Sequence, residues 1–456
     1  MVALPLSFKL RNFHRSSPMR EGVLCWYPFE VGAKVLDYSG GVLTELLHHR
    51  GLVCIDGNTT ADYIVVLDLA MHDTDTLKSL YGRLSSRGRM LIAYENPFAL
   101  RFWAGANAPN TGLPYDSLFG RGDGSMPSKA ELSERLIHTG FAGQKWYYLA
   151  TDHWFTREVY SDGYLPSECM NHRVVPYISD DKFLQFDERP LYREVIRGGA
   201  FRFMCGAYFV EVCKHPDDSP CNVDYAAITA YREPAKRFAT IVKNNGTVCK
   251  IPLHRDGIKT TQQIYKNHMD LSDLNLNIIE TKLESNSLIM PRLDMPTLQD
   301  YWAVKLLKGK LDDGELFRHY DLIIESIYKS SVKGRCYWEL VPANCFYDKT
   351  LDEIIFFDQE YSWNNTVPEA AIARALIPLE CSPILKANPR SEGWLNTLKI
   401  RYGLTGKWDD LYKLARVKMH KEVFGNGESL LESATRHAKK RIRNRTKQRN
   451  DNILDG

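Results

Sequence analysis

Several things are missing from this 456-residue sequence. No apolar run approaches the ~20 residues that a membrane-spanning helix requires. No C-x-x-C pair occurs: the ten cysteines lie singly, which leaves zinc sites and dithiol motifs without support. The opening stretch MVALPLSFKLRNFHRSS holds an apolar run too short and too interrupted for a secretion signal. Together with the scattered thiols, this predicts a protein of the reducing cytosol. Internal repeats and low-complexity tracts are absent as well. With 44% hydrophobic and 25% charged residues, the composition is that of a globular chain. At roughly 100–200 residues per domain, the length implies two to four domains. Net charge also looks scarce, at +3. It is not evenly spread. Residues 433–450 hold eight Lys/Arg and no acid, and subtracting them leaves −5 for the rest.

What is present begins with alternating strand and helix patterns. Ala33–Asp37, Leu52–Asp56, Asp62–Leu67 and Arg89–Tyr94 are short apolar runs of the kind that form buried parallel strands. Helical spacing covers Val42–Arg50 and Asp75–Leu84, with a turn expected over Ser85–Gly88. Lys129–Gly140 reads as a helix stopped by its glycine. This alternation predicts a doubly wound α/β sheet. A second pattern starts near Ala235. Arg237–Lys243 and Thr247–Leu253 flank Asn244-Asn245-Gly246, a strong hairpin signal. A helix at 260–270, strands at Ile278–Glu284 and Ser287–Met290, and helices at 297–307, 314–329 and within 366–435 follow.

In the first region, Asp37 ends a strand and Gly40-Gly41 follow in the turn, which is how an α/β fold approaches a ligand with its backbone. Asp56 ends the next strand. Glu95-Asn96 end the fourth, where a polar ligand could bind. The stretches WYPFEVGAKVLDYSGGVLTELL, ADYIVVLDLA, SSRGRMLIAYENPFALRFWAGANAPNTG and EVYSDGYLP resemble a bacterial family of class I S-adenosylmethionine (SAM) methyltransferase domains. Those domains belong to surface-polysaccharide assembly proteins. The resemblance spans roughly 18–170 and implies a Rossmann-like domain with a SAM site at Asp37, Gly40, Gly41, Asp56, Glu95 and Asn96. The chain departs from that family where the cofactor sits. The family's longer glycine loop is shortened here. Only about twenty residues separate Gly41 from Asp62, and Ala108-Pro109-Asn110 replace an acidic stretch. The expectation is therefore a degenerate methyltransferase-like domain that has lost SAM.

In the second region, phosphoryl-transfer chemistry has a candidate for each role: a strand Lys for phosphates, a loop acid for the hydroxyl proton, and Asn and Asp for magnesium. Lys250 lies on the second hairpin strand. CYWELVPANCFYD and IIFFDQEYSW follow at 336–348 and 354–363. Their spacing resembles the aminoglycoside-phosphotransferase or protein-kinase-like catalytic loop and metal strand. The polysaccharide family carries such a lobe too, over roughly 235–380 here. The resemblance implies ATP at Lys250 and Arg292 (the latter at the interlobe hinge), Glu339 as base, and Asn344 and Asp358 as magnesium ligands. Glu339 stands where an Asp is usual. The helix after Lys250 offers no Glu to pair with it, and the only glycine at the hairpin turn is Gly246.

The expected organisation is thus a methyltransferase-like domain at 1–170, connecting strands at 171–234, an α+β two-lobed kinase-like domain at 235–430 and a basic helical tail at 431–456. Aromatic groups such as Trp146-Tyr147-Tyr148 are expected in the core. The tail's thin apolar face favours adsorption to an anionic membrane surface. Nothing indicates a nucleic-acid module. The function expected is polysaccharide assembly in the cytosol, with a glycan or lipid-linked saccharide and a glycosyltransferase complex as partners. An active SAM methyltransferase with a compact site and a non-catalytic scaffold are the alternatives. Oligomeric state does not follow from the sequence.

Overall fold

A computed structural model describes residues 18–57, 59–67, 74–122, 126–168, 170, 185–186, 188, 190–216, 218 and 221–424. The basic tail over 433–450 lies outside the described residues. The chain forms two compact units. Unit 1 takes residues up to Tyr231 together with Ala239–Asn245; unit 2 takes Arg232–Phe238 and the chain from Gly246. Among the described residues, no helix is long and apolar enough to cross a membrane.

Unit 1 is built on strands β1 (Lys34–Tyr38), β2 (Val53–Cys54), β3 (Ala61–Leu67), β4 (Leu84–Glu95), β5 (Gly143–Ala150), β6 (Glu158–Ser161), β7 (Ala207–Cys213), β8 (Val223–Ile228) and β9 (Phe238–Lys243). Helices α1 (Thr44–His49), α2 (Thr74–Arg83) and α3 (Lys129–Thr139) lie between them. Strand order is β9-β8-β6-β5-β7-β4-β3-β1-β2. The expected parallel block exists, since β1 pairs parallel with β2 and β3, and β3 with β4. The rest of the sheet is antiparallel. The parallel part of the expectation therefore holds for four strands, and the sheet is mixed.

Two sequence expectations change here. Ser85–Gly88 do not form a turn: they belong to β4, whose register against β3 shifts between Ala61 and Tyr63. Also, β7 comes from the stretch expected to be a connection, yet it lies between β4 and β5. Its sequence AYFVEVC is buried throughout. The one charge on it, Glu211, is matched by Arg89 at 3.1 Å and by the Cys221 backbone N–H at 3.1 Å. A buried acid persists only with such partners.

Helix α3 begins with a capping box between Ser128 and Glu131 and stops at Gly140, whose φ of 112° is left-handed. Trp146, Tyr147 and Tyr148 are buried on β5, as expected.

Unit 2 contains β10 (Thr247–Pro252), α4 (Gly257–Asp273), β11 (Lys282–Glu284) and β12 (Ser287–Pro291), with sheet order β11-β12-β10. Helices α5 (Leu298–Leu307) and α6 (Asp313–Ser330) follow, then β13 (Cys336–Tyr337), the hairpin of β14 (Cys345–Asp348) and β15 (Glu353–Phe356), β16 (Ser362–Trp363), and helices α7 (Pro368–Leu376), α8 (Ser391–Arg401) and α9 (Trp408–Phe424). Strands come first and helices dominate afterwards, as the sequence implies. Trp302, Tyr320, Ile323, Ile327, Trp338 and Trp394 anchor one continuous apolar core. The β14–β15 hairpin and the segment after it hold most of the candidate site.

Candidate functional site

In unit 1 the strand order places β1 between β2 and β3, so its carboxyl end faces the point where the order reverses. Ligands of open α/β sheets bind at such points. Asp37, Gly40 and Gly41 all lie there, both glycines with left-handed φ, 67° and 82°. The loop, however, is closed on itself. One Asp37 carboxylate oxygen accepts from the Ser39 N–H at 2.8 Å and the other from the Thr44 hydroxyl at 2.6 Å. The Ser39 hydroxyl accepts from the Leu43 N–H at 3.0 Å. Arg83 donates to the Tyr38 hydroxyl and to the Gly57 carbonyl, bridging the ends of β1 and the β2 segment. Asp56 is exposed beside Gly57.

Glu95 and Asn96 are equally committed. Glu95 pairs with the buried Arg101. Asn96 is fully buried: its amide nitrogen donates to the Phe203 and Cys205 carbonyls at 2.8 Å each, and its oxygen accepts from the Phe98 N–H at 2.9 Å. Asp37, Glu95 and Asn96 do not fit SAM, because they already serve the protein's own backbone and side chains.

Unit 2 behaves differently. Lys250, on β10, is buried and donates to both Asp358 and Glu360. Asp358 has a φ of 55°, a left-handed conformation that a short polar side chain tolerates and that clusters at functional sites. The Glu360 N–H returns to the Asp358 carbonyl at 3.0 Å, a tight turn about Gln359. The two acids flanking that turn meet one lysine. Glu360 also receives Arg232 at 3.3 Å.

The catalytic-loop candidates join this group. The short helix Pro342–Asn344 leads into β14, and the Phe357 N–H donates to the Asn344 carbonyl at 2.9 Å. The Asn344 amide donates to Glu339 Oε2 at 2.6 Å, and Glu339 Oε1 lies 3.7 Å from Arg374 on α7. Gln359 ties the halves together by donating to the Glu339 and Phe357 carbonyls at 3.0 and 2.8 Å. Helix α4 holds the turn from behind. Its Asn267 donates to the Gln359 carbonyl at 2.8 Å, and the Gln359 N–H donates to His268 Nε2 at 3.3 Å. His268 Nδ1 meets the Thr281 hydroxyl at 2.8 Å.

Arg292 follows β12. Its N–H donates to the Gly246 carbonyl at 2.8 Å and its guanidinium to Asp294 at 2.9 Å.

Charge and burial set distinct protonation states in this small volume. Burial pushes the Glu339 carboxyl up to about 7, against the pull of Arg374. Burial would also raise Glu360, but Lys250 and Arg232 outweigh it and hold that carboxyl well below the usual range. Lys250 is the mirror case: burial opposes its charge, and Asp358 and Glu360 prevail, raising it. Burial, with Lys250 nearby, lowers His268 to about 4, so it stays neutral and free to accept from Gln359.

Among the described residues, no group of three His, Cys, Asp or Glu is arranged to hold a metal alone. Magnesium commonly takes one or two carboxylates and completes its shell with substrate phosphates and water. Asp358, with a third of its side chain exposed, and the amide oxygen of Asn344 fit that use.

Glu360, Arg232, Arg374, Asn267 and His268 carry no assigned role in the sequence reading. The spacing of acids in Asp358-Gln359-Glu360 is the one signal for Glu360. Arg232 lies before residue 235, where the sequence places the start of the lobe.

No protein-family model matches this chain, and no curated protein matches it in sequence. Among solved structures, "WaaP in complex with acyl carrier protein" matches with a TM-score of 0.29 and 10% identity, over 40% of this chain and 84% of that one.

Proposed function

We propose that unit 2 is a kinase-like lobe that binds magnesium–ATP and transfers phosphate to a hydroxyl of a glycan or lipid-linked saccharide. Unit 1 serves it as a methyltransferase-like scaffold without SAM. The observation that supports this most is the convergence of Lys250, Glu339, Asn344 and Asp358 from separate segments, in the order phosphoryl transfer requires. Bound magnesium–ATP would supply the phosphoryl group and neutralise its oxygens. Lys250 would bind phosphate, while Asp358 and Asn344 would hold the cation. Glu339, with its carboxyl raised to about 7, would accept the acceptor's proton near neutral pH. The saccharide acceptor and a glycosyltransferase complex as partner rest on the resemblance of CYWELVPANCFYD and IIFFDQEYSW to the polysaccharide family's lobe.

Thermal denaturation of the full chain with magnesium–ATP, ATP plus chelator, or SAM tests this reading. Magnesium–ATP should raise the melting temperature, and Asp358→Asn should remove the magnesium-dependent part. No shift with magnesium–ATP would overturn the lobe's assignment. A shift with SAM would overturn the scaffold role of unit 1. One observation favours a second reading, a nucleotide-binding scaffold without transfer: both Glu339 oxygens face protein groups, Asn344 and Arg374. Phosphate release from ATP in the presence of acceptor separates the two.

A further inference from the structure

In protein kinases the phosphate lysine is anchored by a carboxylate from a following helix, whereas here helix α4, which follows Lys250, supplies none to it. Its inward residues Asn267 and His268 are neutral and grip the backbone of Gln359. The carboxylates come instead from the tight turn at 358–360, and the two differ. Asp358 keeps 34% of its side chain exposed; Glu360 keeps 4% and has a second cationic partner in Arg232. An exposed carboxylate with one partner can exchange that partner for a ligand. A buried one held between two cations must give up both contacts to do so.

We infer that Glu360 is the positioning residue of the site: with Arg232 at its back it holds Lys250 permanently, leaving Asp358 as the exchangeable arm. This deepens the magnesium–ATP reading and rests on it. The anchor of the phosphate lysine lies two residues from the metal-ligand candidate, on the same turn. Helix α4, which also packs against β10, grips this turn through the Gln359 backbone.

The test uses the full chain with two readouts. One is magnesium–ATP affinity by calorimetry. The other, made without nucleotide, is the rate of Lys250 acetylation by acetic anhydride, followed by mass spectrometry. Glu360→Gln should weaken magnesium–ATP binding at least tenfold and speed Lys250 acetylation at least tenfold, with Glu360→Asp intermediate in both. Asp358→Asn should abolish the magnesium dependence of binding but speed acetylation less than threefold. If Glu360→Gln does not fold, Glu360→Asp carries the test. Native affinity and native acetylation in the folded Glu360 variant would overturn the inference alone. An acetylation rate that follows Asp358 rather than Glu360 would overturn it too. Absence of magnesium–ATP binding by the native protein would overturn the underlying reading and the inference together.

Discussion

The two units each gather polar residues at the ends of strands, and they treat them in opposite ways. At the end of β1, Asp37 turns both oxygens to its own loop, and Asn96 spends its whole amide on backbone. There polar chemistry closes the structure. In unit 2, Lys250 is matched against Asp358 and Glu360, Glu339 faces Asn344 and Arg374, and Asp358 stays partly open to solvent. Charged groups gathered at that density oppose each other's protonation states, and Glu339 and Glu360 diverge in opposite directions. That divergence is a property of sites more often than of scaffolds.

The comparison can be broken most forcefully at Glu339. Its carboxyl is raised to about 7, so the folded state binds a proton that the unfolded state releases near 4.5. Its stabilising contribution is complete below pH 4.5 and is lost as pH rises through 7, a loss of about 3 kcal/mol. Glu339→Gln carries no such titration. Urea denaturation should therefore show the variant gaining about 3 kcal/mol on the native protein between pH 4.5 and 8. A constant difference would show that Glu339 is not set apart from ordinary carboxylates. The next effect belongs to unit 1. Asn96→Ala strands two buried carbonyls and one N–H and should cost about 2 kcal/mol, while leaving magnesium–ATP affinity unchanged. Loss of affinity would mean that the two regions are not separate in function. The smallest effect is Gly40→Ala. Its φ of 67° penalises a side chain although the space around it is open, so about 1 kcal/mol is expected. A stabilised Gly40 variant would contradict the left-handed loop.

Much of this was legible in the residues. The four parallel strands announce themselves by apolar runs, and the Lys129–Gly140 helix by its terminal glycine. The resemblance to a kinase-like lobe singles out Lys250, Asn344 and Asp358, and the structure brings Lys250 to Asp358 and Asn344 to Glu339. What escaped has one cause: it depends on partners remote in sequence. Strand β7 inserts between β4 and β5 although 56 residues or more separate it from either. Asn96 has the residue type of a ligand group, and only the arrival of Phe203 and Cys205 makes it structural. Glu360 could not be paired with Lys250 from spacing alone, since the pair spans 110 positions.

The route of the chain has a practical consequence. After Tyr231 it leaves unit 1, contributes Arg232–Phe238 to unit 2, returns to lay β9 against β8, and departs again at Gly246. The two bodies are therefore stitched, and no single cut separates them. Dividing the chain at 234, where the sequence places the border, would strip β9 from unit 1 and leave β8 with unpaired N–H and C=O groups. It would also keep Arg232 with the wrong fragment, taking from Glu360 its second cation. Bisection experiments would thus report aggregation in one half and a weakened lysine clamp in the other, neither of which belongs to the intact protein.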